Sequence, residues 1–172
     1  MATATQDHAP AGRPDRPLDK ATTWLGLVPF AVAVAAVSAL GGLASTSSRA
    51  TYKSLDQPWF APPSWLFGPM WTILYVLIAI AGWWAWRKHA GNLALVLWSV
   101  QLALNLAWTP LFFAEDLYTW ALAEIVVLLA AIAATIVVFF RRGARGSGWL
   151  MVPYLLWVGY ATALNAAIVV LN

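Results

Sequence analysis

Five stretches of this chain, at residues 23–44, 66–86, 92–113, 118–140 and 149–171, stay apolar with almost no charge inside them. An α-helix needs about 20 residues to cross a hydrocarbon core of about 30 Å, and each stretch meets that length. Backbone groups in lipid have no water to bond, so a spanning segment is either a helix or part of a closed barrel. These runs are too long, and alternate too little, to be barrel strands. The reading is therefore an all-α integral membrane bundle of five transmembrane helices. Composition agrees, since 62% of the residues are hydrophobic and only 10% are charged, whereas a soluble domain carries roughly 25% charge.

Residues 1–22 form a polar tail with Pro10, Pro14 and Pro17 among charged side chains, a composition that buries too little apolar surface to fold. The helical domain is expected over 23–172. Its connections are short except for the first loop, 45–65, which holds Pro58, Pro62 and Pro63. Arg13, Arg16 and Lys20 before the first apolar run, and Gly42-Leu43-Ala44 at its end, imitate a signal peptide. The run exceeds the roughly 7–15 residues of a signal h-region, so a retained first helix is expected. Arg13, Arg16, Lys20, Arg87, Lys88, Arg141, Arg142 and Arg145 fall on one side of a five-helix topology, against Arg49 and Lys53 on the other. Basic residues stay cytoplasmic, which places the N-terminus inside and the C-terminus outside.

Several classes of chemistry are excluded by what is missing. The chain has no Cys, which removes disulfides, thiol catalysis and thiolate metal sites. His8 sits in the polar tail and His89 in a basic turn, neither with a partner at ligand spacing, so no metal site is expected. A net charge of +3 from scattered residues does not make a nucleic-acid surface. There is no Ser/His/Asp set, no phosphate-binding Gly loop, and no carboxylate pair beyond Glu115 and Asp116 in a turn. Hydrolysis and phosphoryl transfer are thereby disfavoured. Any chemistry would be redox or photochemical, on a bound ligand, with Trp or Tyr as electron donor.

What remains is a set of helical stripes. In the third run Gln101, Asn105 and Trp108 share one face at i, i+4, i+7. Amides in a membrane face the bundle interior, where they serve as an interhelical clasp, as ligand contacts, or as both. On the opposite face Ser99, Ala103 and Ala107 make a small-residue ridge suited to close helix approach, the expected contact of a homodimer. The second run carries Trp71 and Tyr75, and the fourth carries Trp120, Ala123, Glu124 and Val127. The fifth carries Tyr154, Trp157, Ala161, Leu164 and Asn165. Such stripes are often ordinary core. Their repetition on three helices also fits a pocket for a flat, mostly apolar ligand, with apolar walls and a few placed donors. Glu124 is the one ionisable residue well inside an apolar run. Snorkelling, an interhelical bond and a proton relay are all open to it.

The segment LDQPWFAPPSWLFGPMWTILY at 55–75 resembles the hallmark of the tryptophan-rich sensory protein family, also called the translocator protein or peripheral-type benzodiazepine receptor family. QLALNLAWTPLFF at 101–113 is similar to that family's third helix, and PYLLW at 153–157 with ATALN at 161–165 to its fifth. The resemblance implies a five-helix bundle, commonly dimeric, that binds porphyrins or haem and benzodiazepine-site drugs in a cavity beneath the first loop. It implies Trp71, Asn105 and Trp157 in that pocket, with Tyr75, Trp120, Ala123, Ala161 and Leu164 nearby. It further implies Trp71 and Trp157 as the pair associated with light-driven porphyrin degradation. No resident cofactor is implied; the tetrapyrrole is the ligand.

Two departures qualify the resemblance. Gln57 replaces a Lys found in many members, leaving Lys53 and Arg49 as nearby cations, and the stretch after Asn165 lacks the Tyr and Arg of the family's sterol motif. The functional expectation is a membrane receptor that regulates tetrapyrrole levels, with porphyrin degradation and tetrapyrrole transport as alternatives. Five helices do not divide into the inverted repeats of an alternating-access transporter. The 12 Trp then divide. Trp24, Trp65, Trp83, Trp84, Trp86 and Trp149 are expected as interfacial anchors, and Trp71, Trp108, Trp120 and Trp157 as an inward set.

Overall fold

Apolar runs with few internal helix breakers give long helices, and these stop where glycine or cationic turns begin. The computed structural model describes residues 24–44, 52–113 and 117–172. In chain order the elements are α1 (Val28–Ala44), a 3₁₀ turn (Ser64–Leu66), α2 (Phe67–Arg87), α3 (Asn92–Phe113), α4 (Tyr118–Arg141) and α5 (Arg145–Leu171). No strand occurs among the described residues. α2 with the turn before it, α3, α4 and α5 are each long and apolar enough to cross a membrane. α1 is apolar but shorter, at 17 residues. The tail at 1–22 and the loop segment 45–51 fall outside the described residues, as do Glu115 and Asp116.

Two tight turns join α2 to α3 and α4 to α5 by the same device. His89 takes a φ of 51° and Gly143 a φ of 79°, the left-handed position that commonly ends a helix. The next amide then reaches back, from Ala90 to the Ala85 carbonyl at 3.1 Å and from Ala144 to the Phe139 carbonyl at 2.9 Å. α5 consequently starts at Arg145, four residues before the expected 149. Its glycines are packing residues: a Cβ on Gly148 would lie 2.9 Å from the Phe140 ring. A Gly-Ser-Gly stretch that reads as a connection is therefore the first turn of a helix pressed against its neighbour.

The helices pack as a ring. α1 lies against α2 and α3, α2 against α5, α5 against α4, and α4 against α3, so the order around the bundle is α1, α2, α5, α4, α3. Leu74, Ile78, Leu128, Ile132, Phe139 and Met151 fill the core. On the α1 side Trp98 is the wedge. Its indole donates to the Ile78 carbonyl at 3.0 Å and meets Phe30 edge-on at 5.2 Å. The space for it exists because residue 82 is Gly, where a Cβ would come within 2.6 Å of the indole.

The outer surface is apolar, as a lipid-facing surface is. Ile73, Val96, Val126 and Leu156 are exposed, with no energetic conflict in hydrocarbon. Trp24, Trp65, Trp84, Trp86 and Trp149 are also exposed, as interfacial anchors are. Trp83 departs from that expectation: it is 5% exposed. Its ring stacks on Trp24 at 5.0 Å and lies 5.0 Å from the Arg87 guanidinium, so lipid does not account for it.

Candidate functional site

The ring of helices leaves a cavity of about 410 Å³ at the end that carries the first loop. α1 contributes Ser38, Gly41 and Gly42, small residues that leave room. α2 contributes Phe67, Gly68, Trp71, Thr72 and Tyr75; α3 contributes Asn105, Trp108, Thr109 and Phe113. Ile125 and Leu128 of α4 and Trp157, Val158 and Ala161 of α5 close the far wall, and Tyr52 and Ser64 lie at the loop side. Among the described residues the lining carries no charge. It consists of aromatic faces, small residues and neutral hydrogen-bonding groups.

Two asparagines brace the cavity. Tyr75 donates its hydroxyl proton to Asn105 Oδ1 at 3.0 Å, joining α2 to α3. Trp108 directs its indole N–H at Asn165 Oδ1 at 3.4 Å, while Asn165 Nδ2 donates to the Tyr118 carbonyl at 3.0 Å. Asn165 thus ties α3, α4 and α5 together, and polar groups that would be costly alone in lipid satisfy one another. The aromatic rings interlock around them. Trp71 lies 5.3 Å from Tyr75 and 6.1 Å from Tyr154, and Trp157 lies 5.8 Å from Phe67 and 5.7 Å from Tyr160.

Of the residues singled out in the sequence, Trp71, Tyr75, Asn105, Trp108, Trp157 and Ala161 meet at this cavity. Gln101 lies one turn further along α3, fully buried, and donates to the Trp98 carbonyl at 2.7 Å. Leu164 is buried beneath the loop in a second cluster with Tyr52, Phe112, Ala121 and Ile168. Trp120 and Ala123 are not brought to the cavity. They lie with Glu124, Val127, Leu104, Leu111 and Leu117 in a groove outside it, where Trp120 is 68% exposed. The expected inward turn of the α4 stripe fails because α4 turns Ala121, Ile125, Leu128 and Ile132 to the core instead, which leaves Trp120, Ala123 and Val127 on the outside. Both Glu124 carboxyl oxygens are shielded and without a hydrogen-bond partner among the described residues.

Sequence reading missed α1's share of the site, Ser38, Gly41 and Gly42, and the hydroxyls of Thr72 and Thr109. Thr109 had a usable signal, since it stands at i+4 from Asn105 and so on the same face. The small residues of α1 had none, because glycine and serine are frequent in membrane helices wherever they lie.

Comparison with known proteins follows the same residues. The model of the TspO/MBR family matches residues 29–171. The chain belongs to the TspO/MBR family. It is 38% identical over 151 residues to the tryptophan-rich protein TspO of Archaeoglobus fulgidus, covering 86% of this chain and 97% of that one. It is 36% identical over 149 residues to the tryptophan-rich sensory protein of Cereibacter sphaeroides, covering 87% and 92%. The human translocator protein is 34% identical over 119 residues, covering 66% and 70%. The matched region takes in every helix wall of the cavity, so the TspO/MBR match and the cavity describe one unit. With its apolar helices, this TspO/MBR chain is a multi-pass membrane protein.

Proposed function

We propose that the protein is a membrane receptor that holds a tetrapyrrole, protoporphyrin or haem, in the Trp-lined cavity and so regulates porphyrin levels. The observation that carries this reading is the convergence of Trp71, Trp108 and Trp157, from three helices, on one uncharged cavity of about 410 Å³. That volume falls within the roughly 300–1,000 Å³ of small-molecule sites, and indole faces suit a flat ring. The indole N–H groups of Trp71 and Trp157 make no hydrogen bond among the described residues and are available as donors. The same neutral, aromatic walls suit benzodiazepine-site drugs. Carboxylates on a ligand would project to the loop side, where Lys53 stands next to Tyr52.

The reading places five helices across the membrane, α1 included, with the N-terminus in the cytoplasm. A homodimer forms through Ser99, Ala103 and Ala107, all exposed along α3. The test of the receptor is a protoporphyrin IX titration in darkness, followed by indole fluorescence. Saturable quenching that weakens about tenfold in Asn105→Ala supports it; quenching linear in porphyrin and equal in that variant refutes it.

A second reading, light- and oxygen-dependent porphyrin degradation using Trp71 and Trp157 with dioxygen as the oxidant, is favoured by one contact set. Trp71 is flanked by two phenols, Tyr75 and Tyr154, which could refill an electron lost to a photo-excited ligand. Loss of the porphyrin absorption band under illumination in wild type, abolished in Trp71→Phe at porphyrin concentrations that saturate the variant's weakened site, distinguishes it from a receptor alone.

A further inference from the structure

The stretch 52–66 forms the loop side of the cavity, and it is braced within itself. The Tyr52 hydroxyl donates to the Pro62 carbonyl at 3.0 Å, the Gln57 side-chain amide donates to the Tyr52 carbonyl, and the Ala61 amide bonds the Pro58 carbonyl at 2.9 Å. Prolines 58, 62 and 63 fix φ at three of its positions. These contacts make the stretch a single braced unit.

Two ties cross from this unit to α5. The Tyr160 hydroxyl donates to the Phe60 carbonyl at 2.7 Å. The Asn172 side chain clasps the backbone of Asp56 on both sides, accepting from its amide at 3.1 Å and donating to its carbonyl at 3.2 Å. Asn172 is itself steadied by the Ile168 carbonyl at 3.1 Å. Neither Tyr160 nor Asn172 lines the cavity, yet Tyr160 packs on Trp157, which does. Both ties are single neutral hydrogen bonds or pairs of them, two of the three bonds at exposed sites. Each is weak enough to break and reform without unfolding.

We propose that Tyr160 and Asn172 are positioning residues that hold the stretch 52–66 shut over the cavity, and that release of their bonds is the step through which ligand enters and leaves. The inference rests on the receptor reading for its ligand. Because neither side chain reaches the cavity, weakening the ties raises entry and exit together and leaves the equilibrium affinity nearly unchanged.

The test uses the full chain in lipid nanodiscs, as wild type, Tyr160→Phe, Asn172→Ala and the double variant. Hydrogen exchange of ligand-free protein reads the ties themselves: amides of 56–61 exchange about fivefold faster in each single variant, and faster still in the double, while α2–α5 are unchanged. Stopped-flow mixing with protoporphyrin IX then reads traffic, with association and dissociation rates rising by matching factors and Kd staying within twofold. Unchanged exchange overturns the ties. Faster exchange with wild-type rates overturns their control of traffic and points to entry between helices from the lipid. If wild type itself shows no saturable binding, the receptor reading and the traffic claim fall together, and exchange alone still decides whether the two side chains hold the stretch.

Discussion

The hydroxyl of Tyr75 donates to Asn105 Oδ1 across 3.0 Å, from the middle of α2 to the middle of α3. The bond crosses the pair of adjacent chain segments that pack least against one another, with the cavity between them. It therefore sets the width of the site as well as holding it. Asn105→Ala and Tyr75→Phe are each expected to lower stability by about 1–2 kcal/mol. The double variant should lose less than the sum, because the second change removes a partner already gone. Thermal unfolding in one detergent, run as a double-mutant cycle, checks this; strict additivity would show the bond contributes nothing.

Trp98 and Gly82 make a prediction free of any ligand. A methyl at residue 82 would stand 2.6 Å from the indole, against a side chain already pinned to the Ile78 carbonyl. Gly82→Ala is expected to destabilise by about 1–3 kcal/mol. Gly42→Ala has nothing within 4 Å of the new methyl and should leave the melting temperature nearly unchanged, which makes it the control.

Alkali acts on the loop through Tyr52. Burial, and then neighbouring Tyr160, push its hydroxyl up from 10.0 to about 12. The folded state holds that proton where the unfolded chain has lost it, so the stabilisation is complete below about pH 10 and disappears as pH rises through about 12. A tyrosinate absorbance titration of Tyr52→Phe should lack one late-titrating group. Loss of a group with a midpoint near 10 instead would contradict the burial of that hydroxyl beneath the loop.

The absence of cysteine makes the proposed dimer contact easy to probe. Ser99→Cys and Ala103→Cys, each introduced singly into α3, should form covalent dimers on mild oxidation in membranes, and Val126→Cys on the exposed side of α4 should not. Equal crosslinking at all three positions would argue against a specific α3 interface.

Much of this was legible in the sequence, for a physical reason. Span length and hydropathy are enforced along the whole chain by the bilayer, so α2, α3 and α4 begin and end within one residue of their apolar runs. Asn105 and Trp108 were legible because an amide in lipid has only one comfortable direction to face. Trp120 was not, since in hydrocarbon an indole is as stable on the outside of α4 as within. Nor was the start of α5, where Gly146 and Gly148 look like a linker until Trp84 and Phe140 are seen lying against them. The Asn172 clasp on Asp56 joins residues 116 positions apart and leaves no local pattern at all.

The contrast between cavity and groove offers the most direct measurement. Protoporphyrin IX is titrated in darkness into wild type, Trp157→Phe, Trp71→Phe and Trp120→Phe, with binding followed by porphyrin absorbance so that removing an indole does not remove the signal. One site per chain is expected, with affinity reduced about five- to tenfold in Trp157→Phe and Trp71→Phe and unchanged in Trp120→Phe. Equal affinity in all four proteins, or a loss confined to Trp120→Phe, would contradict the cavity as the binding site.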